Sequence, residues 1–202
     1  NKNTIPSMFL AGKKANALGH IVLLDPVGAG ASRLRTDTAN RLMREVRFDA
    51  VRGNISEIKT LCTGSGSTKG VDADAVDAVT EANLDDGVQL VKAFAKQTGC
   101  IIAVTGAIDL VSDGARCWCI RNGRAEMSRI TGTGCQLSAL MTAFLVANPD
   151  HKLAAAAAAV CMMGLAGEIG WANMQPGDGN STYRNRIIDA IFNMTGDALE
   201  EG

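Results

Sequence analysis

Short apolar runs, each closed by a polar residue beside glycine or proline, constrain this chain more than anything else in it. Ile21–Leu24 closes on Asp25-Pro26 and Cys100–Val104 ends at Thr105-Gly106, while a brief strand, Phe48–Val51, meets Arg52-Gly53-Asn54. A continuous apolar run with no polar alternation is the profile of a strand buried on both faces. Helical patterns separate the runs. Thr4–Leu18 reads as a helix with Pro6 near its start and Gly19 as its stop. Thr36–Val46 places Ala39, Leu42, Met43 and Val46 on one face, and Ile55–Cys62 is a further helix. A long helical stretch runs from about Asp74 to Gln97, with a candidate break at Asn83–Gly87.

Between Gly106 and Ile130 the pattern changes. Ile108–Val111, Arg116–Arg121 and Arg124–Ile130 read as short strands joined by Asp113-Gly114 and Asn122-Gly123, both hairpin dipeptides. After Thr131-Gly132-Thr133-Gly134 come three helical patterns, Cys135–Ala147, Leu153–Met174 and Tyr183–Leu199, the last two separated by the polar loop Gln175–Thr182. Buried strands alternating with helices predict an α/β fold: a mostly parallel sheet flanked by helices, with an antiparallel hairpin section. No repeat or linker interrupts it, so residues 1–202 are read as one domain.

Composition narrows the function classes. With 47% hydrophobic and 20% charged residues the chain is an ordinary globular one, not a disordered one. A net charge of −1 and no Lys/Arg cluster leave no footprint for nucleic acid. The longest apolar stretch is mainly alanine, Ala154–Ala159, which suits a tightly packed helix better than a membrane span. No signal peptide opens the chain, and the expected compartment is the cytoplasm. Six cysteines at irregular spacing, with no C-x-x-C pair and two histidines, read as free thiols in a reducing compartment. The 22 glycines beside only 4% aromatics point instead to recognition by backbone.

Three glycine clusters can be tested against known phosphate loops. Gly28-Ala29-Gly30 leads to Arg33, where the dinucleotide fingerprint needs glycine, and Gly64-Ser65-Gly66 is not followed by GK[ST]. Gly132-Thr133-Gly134-Cys135 fits neither template. It does meet the requirement beneath both, small residues delivering free N–H groups at the start of a strong helix, where anions bind. The alternative is a simple tight turn. Asp25, at the carboxyl end of a buried strand, lies where open α/β sheets place ligands, and could orient magnesium or cap its own turn. Asn54 and Glu57 make a capping-box pattern, while Arg52 beside them is placed to grip a phosphate.

Taken in order, Leu24-Asp25-Pro26-Val27-Gly28-Ala29-Gly30, Arg52-Gly53-Asn54-x-x-Glu57, Val104-Thr105-Gly106 with Ser112-Asp113-Gly114, and Thr131-Gly132-Thr133-Gly134-Cys135 closely resemble the hydroxyethylthiazole kinase family of the ribokinase-like superfamily, from about residue 4 to the C-terminus. The resemblance implies phosphorylation of the primary alcohol of 4-methyl-5-(2-hydroxyethyl)thiazole by ATP with Mg2+, a step of thiamin salvage. Arg52 and Thr105 then look like ATP contacts, and Gly132 like the substrate-side glycine. Asp25 and Glu57 look like the acids that organise magnesium and phosphates. Gly132, Thr133 and Gly134 would form the anion hole, and Cys135 would stand where most ribokinase-like enzymes carry an aspartate base. Helix N-termini activate thiols in general, and phosphoryl transfer leans mainly on positioning and charge stabilisation.

The family pattern also carries an N-terminal stretch, holding the first part of the sheet and a pocket methionine, that these residues lack. Asn1 stands where an initiator Met would be expected, the pattern of a fragment or a processed product. Relatives usually form homotrimers sharing the thiazole site. Two other readings stay open on sequence: another ribokinase-like kinase such as a hydroxymethylpyrimidine kinase, which Cys135 argues against, and a catalytically inactive nucleotide-binding fragment.

Overall fold

The computed structural model describes residues 3–64 and 78–201. Ser65 and Gly66 of the second glycine cluster, and the first residues of the helical stretch expected from about Asp74, lie outside them. The chain divides between Cys119 and Ile120 into two compact units.

The first unit is built on a sheet. Helix α1 (Thr4–Ala17) leads to strand β1 (Leu23–Leu24), followed by α2 (Arg33–Glu45), β2 (Ala50–Gly53) and α3 (Ile55–Gly64). After a short 3-10 turn at Glu81–Asn83 come α4 (Leu84–Thr98), β3 (Ile101–Val104), β4 (Asp109–Ser112) and β5 (Cys117–Ile120), whose last residue opens the second unit. The strands lie in the order β1-β2-β3-β4-β5. β1 with β2 and β2 with β3 are parallel, and β3 with β4 is antiparallel, as the buried runs and the hairpin section imply. Burial explains the apolar runs: Ala50, Val51, Ile102 and Ala103 are wholly shielded, and Val51 and Ile102 join Ile58, Val91 and Leu110 in one core. The face chosen on α2 holds, with Ala39, Leu42 and Val46 buried and Met43 packed against the core.

The first hairpin dipeptide behaves as read. Asp113 Oδ1 accepts from the Ala115 and Arg116 amides at 2.9 and 2.7 Å, closing the turn between β4 and β5. Strand β2 starts two residues later than the expected Phe48–Val51, so Arg52 projects from the strand itself instead of following it.

The second unit is helical: α5 (Thr133–Ala147), α6 (Lys152–Ala172), α7 (Asn180–Asn193) and α8 (Gly196–Glu201). Among the described residues α6 is the one helix long and apolar enough to cross a membrane. Its alanines are used inside the unit, where Ala156, Ala157 and Ala159 are wholly shielded and the helix packs on α5 and α7. Buried Tyr183 of α7 meets Trp171 edge to face at 5.2 Å and donates its hydroxyl to the Gly167 carbonyl at 2.9 Å.

Three expectations do not hold. The stretch Arg124–Ile130 is no strand but a 3-10 turn at Ala125–Arg129. Asn122-Gly123 forms no hairpin because both residues bind α6: Asn122 Nδ2 donates to the Cys161 carbonyl at 2.7 Å and the Gly123 amide to Glu168 Oε1 at 2.6 Å. Arg124, paired with Glu126, then lies 5.2 Å over the Trp171 ring. The helix expected over Tyr183–Leu199 is two, because Met194 is extended and Thr195 Oγ1 accepts from the Ala198 amide at 3.2 Å, capping α8. Removing the buried hydroxyl with Tyr183→Phe should cost about 1 kcal/mol. Urea unfolding should show it as a lower midpoint at unchanged slope.

Candidate active site

Sheet register brings the strand-end polar residues into a row. Leu24 pairs with Val51, so the next residues, Asp25 and Arg52, are neighbours. Arg52 pairs with Ala103, and Thr105, two residues on, shares that face because side chains alternate along a strand. Val104 lies opposite Leu110, which sets Thr105 opposite Asp109 in the antiparallel pair. Four polar side chains, Asp25, Arg52, Thr105 and Asp109, thus line one face across consecutive strand ends.

Arg52 is the hub of that row. Its Nη2 donates to Thr105 Oγ1 at 2.6 Å, and Nη1 stands 3.5 Å from Asp25 Oδ2. The Arg52 and Asp25 side chains keep only 13% and 15% of their exposure, so the pair is largely withdrawn from water. Arg52 Nε is buried with no hydrogen-bond partner among the described residues. An open donor on a buried guanidinium is costly unless something accepts from it.

Glu57 ties the Asp25–Gly30 loop to α3. Its Oε1 accepts from the Gly28 amide at 2.8 Å and its Oε2 from the Asn54 amide at 2.9 Å, while Asn54 Oδ1 accepts from the Glu57 amide at 2.8 Å. The capping box foreseen from sequence is therefore present, extended by a tether to the loop. An ionised carboxylate has about four lone-pair sites, so two amide contacts leave room for a cation. Magnesium takes one or two carboxylates plus substrate phosphates and needs no dedicated cage. The two acids suit that habit, because Glu57 accepts from the Gly28 amide of the loop that Asp25 opens.

Gly132, Thr133, Gly134 and Cys135 lie in the second unit at the start of α5. Gly132 caps the helix with φ +99°, a conformation natural only to glycine, and its carbonyl accepts from the Gln136 amide at 3.0 Å. No side chain caps α5, which leaves its first-turn amides to the partial positive charge of the helix end. Cys135 is exposed there as a free thiol. The other cysteines are not disulfide-bonded either. Burial pushes the Cys62 thiol up to about 12 and Cys117 up to about 11, as inert structural thiols should be.

Asp109 is the residue that sequence reasoning missed. Its Oδ1 accepts from the Gly106 amide at 2.8 Å, and it stands within electrostatic reach of Arg52. Burial raises its pKa from 3.8 to about 6, against the opposing pull of the Gly106 amide and of Arg52. The sequence carries a signal for it, a carboxylate three residues beyond a glycine in Gly106-x-x-Asp109, inside the strand expected at Ile108–Val111.

Comparison with known proteins fits this geometry. Residues 1–197 match the model of the hydroxyethylthiazole kinase family. This chain belongs to that family. It is 53% identical over 201 residues to a hydroxyethylthiazole kinase of Clostridium acetobutylicum, covering 100% of this chain and 74% of that one. One from Clostridium beijerinckii is 44% identical, with 71% of its length covered. Among solved structures a hydroxyethylthiazole kinase of Pyrococcus horikoshii superposes with a TM-score of 0.85 at 28% identity, covering 100% of this chain and 71% of that one. A pyridoxal kinase of Bacillus subtilis, solved as an ADP complex, reaches 0.56 at 20% identity and covers 81% of this chain and 59% of that one. The fold is ribokinase-like.

The raised Asp109 pKa gives a stability prediction with a definite sign. The folded state holds this proton more tightly than the unfolded chain, so ionising Asp109 opposes folding. That opposition is absent below about pH 4, grows as the pH rises from 3.8, and is complete above about 6. Asp109→Asn should therefore gain stability relative to the parent between pH 4 and pH 7, read from urea midpoints at the two pH values.

Proposed function

We propose that this chain is an ATP-dependent kinase that phosphorylates the hydroxyl of 4-methyl-5-(2-hydroxyethyl)thiazole in thiamin salvage. The observation that carries this beyond family membership is Arg52. A guanidinium largely withdrawn from water, held by Thr105 Oγ1 and Asp25, keeps a buried Nε open. Phosphate oxygens are the acceptors that arginine matches best.

In this reading Arg52 and Thr105 contact ATP, and Gly132 contacts the thiazole side. The Gly132, Thr133 and Gly134 amides stabilise charge on the transferring phosphoryl group, as donors fixed at a helix start do without reorganisation. Asp25 and Glu57 would hold Mg2+, which when bound neutralises phosphate charge. Cys135 takes the proton of the attacking hydroxyl. The substrate hydroxyl oxygen forms the new bond to the γ-phosphorus as the bond from that phosphorus to the β–γ bridging oxygen breaks, and ADP leaves. A homotrimer in the cytoplasm follows from the same family resemblance.

A coupled assay for ADP tests the reading. ADP formation should depend on the thiazole alcohol and on magnesium, and nucleotide binding without alcohol-dependent turnover would contradict a kinase. For the base, Cys135→Ala should lower kcat by about tenfold or more, Cys135→Asp should restore much of it, and Cys161→Ala should leave kcat unchanged. Full kcat in Cys135→Ala, with Cys135→Asp no faster, would remove the base role.

A further inference from the structure

We infer that Asp109 is a positioning residue of the nucleotide site, its carboxylate fixing the Thr105–Gly106 turn so that Thr105 meets Arg52. The inference rests on the reading of Arg52 and Thr105 as ATP contacts, and it assigns a part to a residue outside the motifs that carry the family resemblance.

Two consecutive amides are held from opposite sides. The Thr105 amide donates to the Gly53 carbonyl of β2 at 2.9 Å, continuing the parallel ladder past the end of β3. The next amide, Gly106, donates to Asp109 Oδ1 at 2.8 Å. Fixing both N–H vectors sets the backbone angles of Thr105 between them, which is what places its Oγ1 2.6 Å from Arg52 Nη2. Register gives the same result by another route: Thr105 and Asp109 stand opposite one another on the face that carries Arg52. Without the Asp109 acceptor the Gly106 amide loses its anchor, and only the sheet side would hold the turn.

The chemistry of the row also suits this role. Arg52 has Asp25 on one flank and Thr105 Oγ1 on the other, with Asp109 opposite Thr105 behind it, so the guanidinium is held from both sides and has little freedom to turn. A fork that must grip a phosphate benefits from that restraint, because less rotamer freedom is lost on binding. Asp109 itself touches no reacting atom in this account. Its effect passes through Thr105 and Arg52.

Steady-state kinetics of the whole protein, with ATP and the thiazole alcohol varied separately, test the inference. Asp109→Ala should raise KM for ATP about tenfold while KM for the alcohol and kcat stay within about threefold. Asp109→Asn keeps an oxygen for the Gly106 amide and should return KM for ATP to within about threefold of the parent. Should Asp109→Ala fail to fold, Asp109→Leu, close to Asp in shape and without an acceptor, supplies the same comparison. A purely structural role would lower stability and active fraction yet leave both KM values alone. An unchanged KM for ATP in the acceptor-less variant overturns the inference, and so does an Asn variant as impaired as the Ala one. Absence of alcohol-dependent ADP formation in the parent protein would instead remove the kinase reading and this inference with it.

Discussion

The contact from Arg52 to Thr105 Oγ1, closed on the other side by Asp25, is the interaction on which the rest of the candidate site depends. It puts a positive charge where water is scarce, and such a charge persists only when its donors find acceptors. Two of its nitrogens are provided for by the protein. Nε has no partner among the described residues, and a phosphate-bearing ligand would complete the set. The fold supplies the scaffold: three parallel strands end where antiparallel β4 begins, and the four together contribute Asp25, Arg52, Thr105 and Asp109. This is the general position of ligands in open α/β sheets, at the carboxyl ends of strands.

Around that row, backbone and carboxylates restrain each other. Glu57 joins the Gly28 amide to the start of α3, so the loop following Asp25 and the helix following Arg52 are fixed by one side chain. Asp109 does the same for the turn following Thr105. The two acids solve one physical problem: strand-end turns have free amides, and a turn with free amides cannot hold a side chain to within an ångström. In the second unit the problem is inverted. The first turn of α5 keeps its amides without a side-chain cap, as an anion-binding helix end requires.

Much of this was legible in the residues themselves. Uninterrupted apolar runs mark buried strands because no polar atom could be satisfied there, and Asp25 and Thr105 each follow such a run, while Arg52 follows the brief strand read at Phe48–Val51. The capping box at Asn54 and Glu57 was legible because its partners are three residues apart. What escaped depends on partners distant in sequence. Asn122-Gly123 resembles a hairpin turn until Cys161 and Glu168 on α6 provide other acceptors. Asp109 looks like an ordinary strand residue until the register places it opposite Thr105. The break between α7 and α8 had a local signal, Thr195-Gly196-Asp197, overridden by helical periodicity on either side.

The central claim is that Arg52 holds phosphate rather than merely bracing the sheet. Titration calorimetry of Mg-ATP against the parent protein and Arg52→Gln, with urea unfolding of both, tests it most directly. The account predicts that the variant remains folded yet binds Mg-ATP at least tenfold more weakly, a loss of about 1.4 kcal/mol or more. Equal affinity for Mg-ATP in a folded Arg52→Gln protein would contradict it.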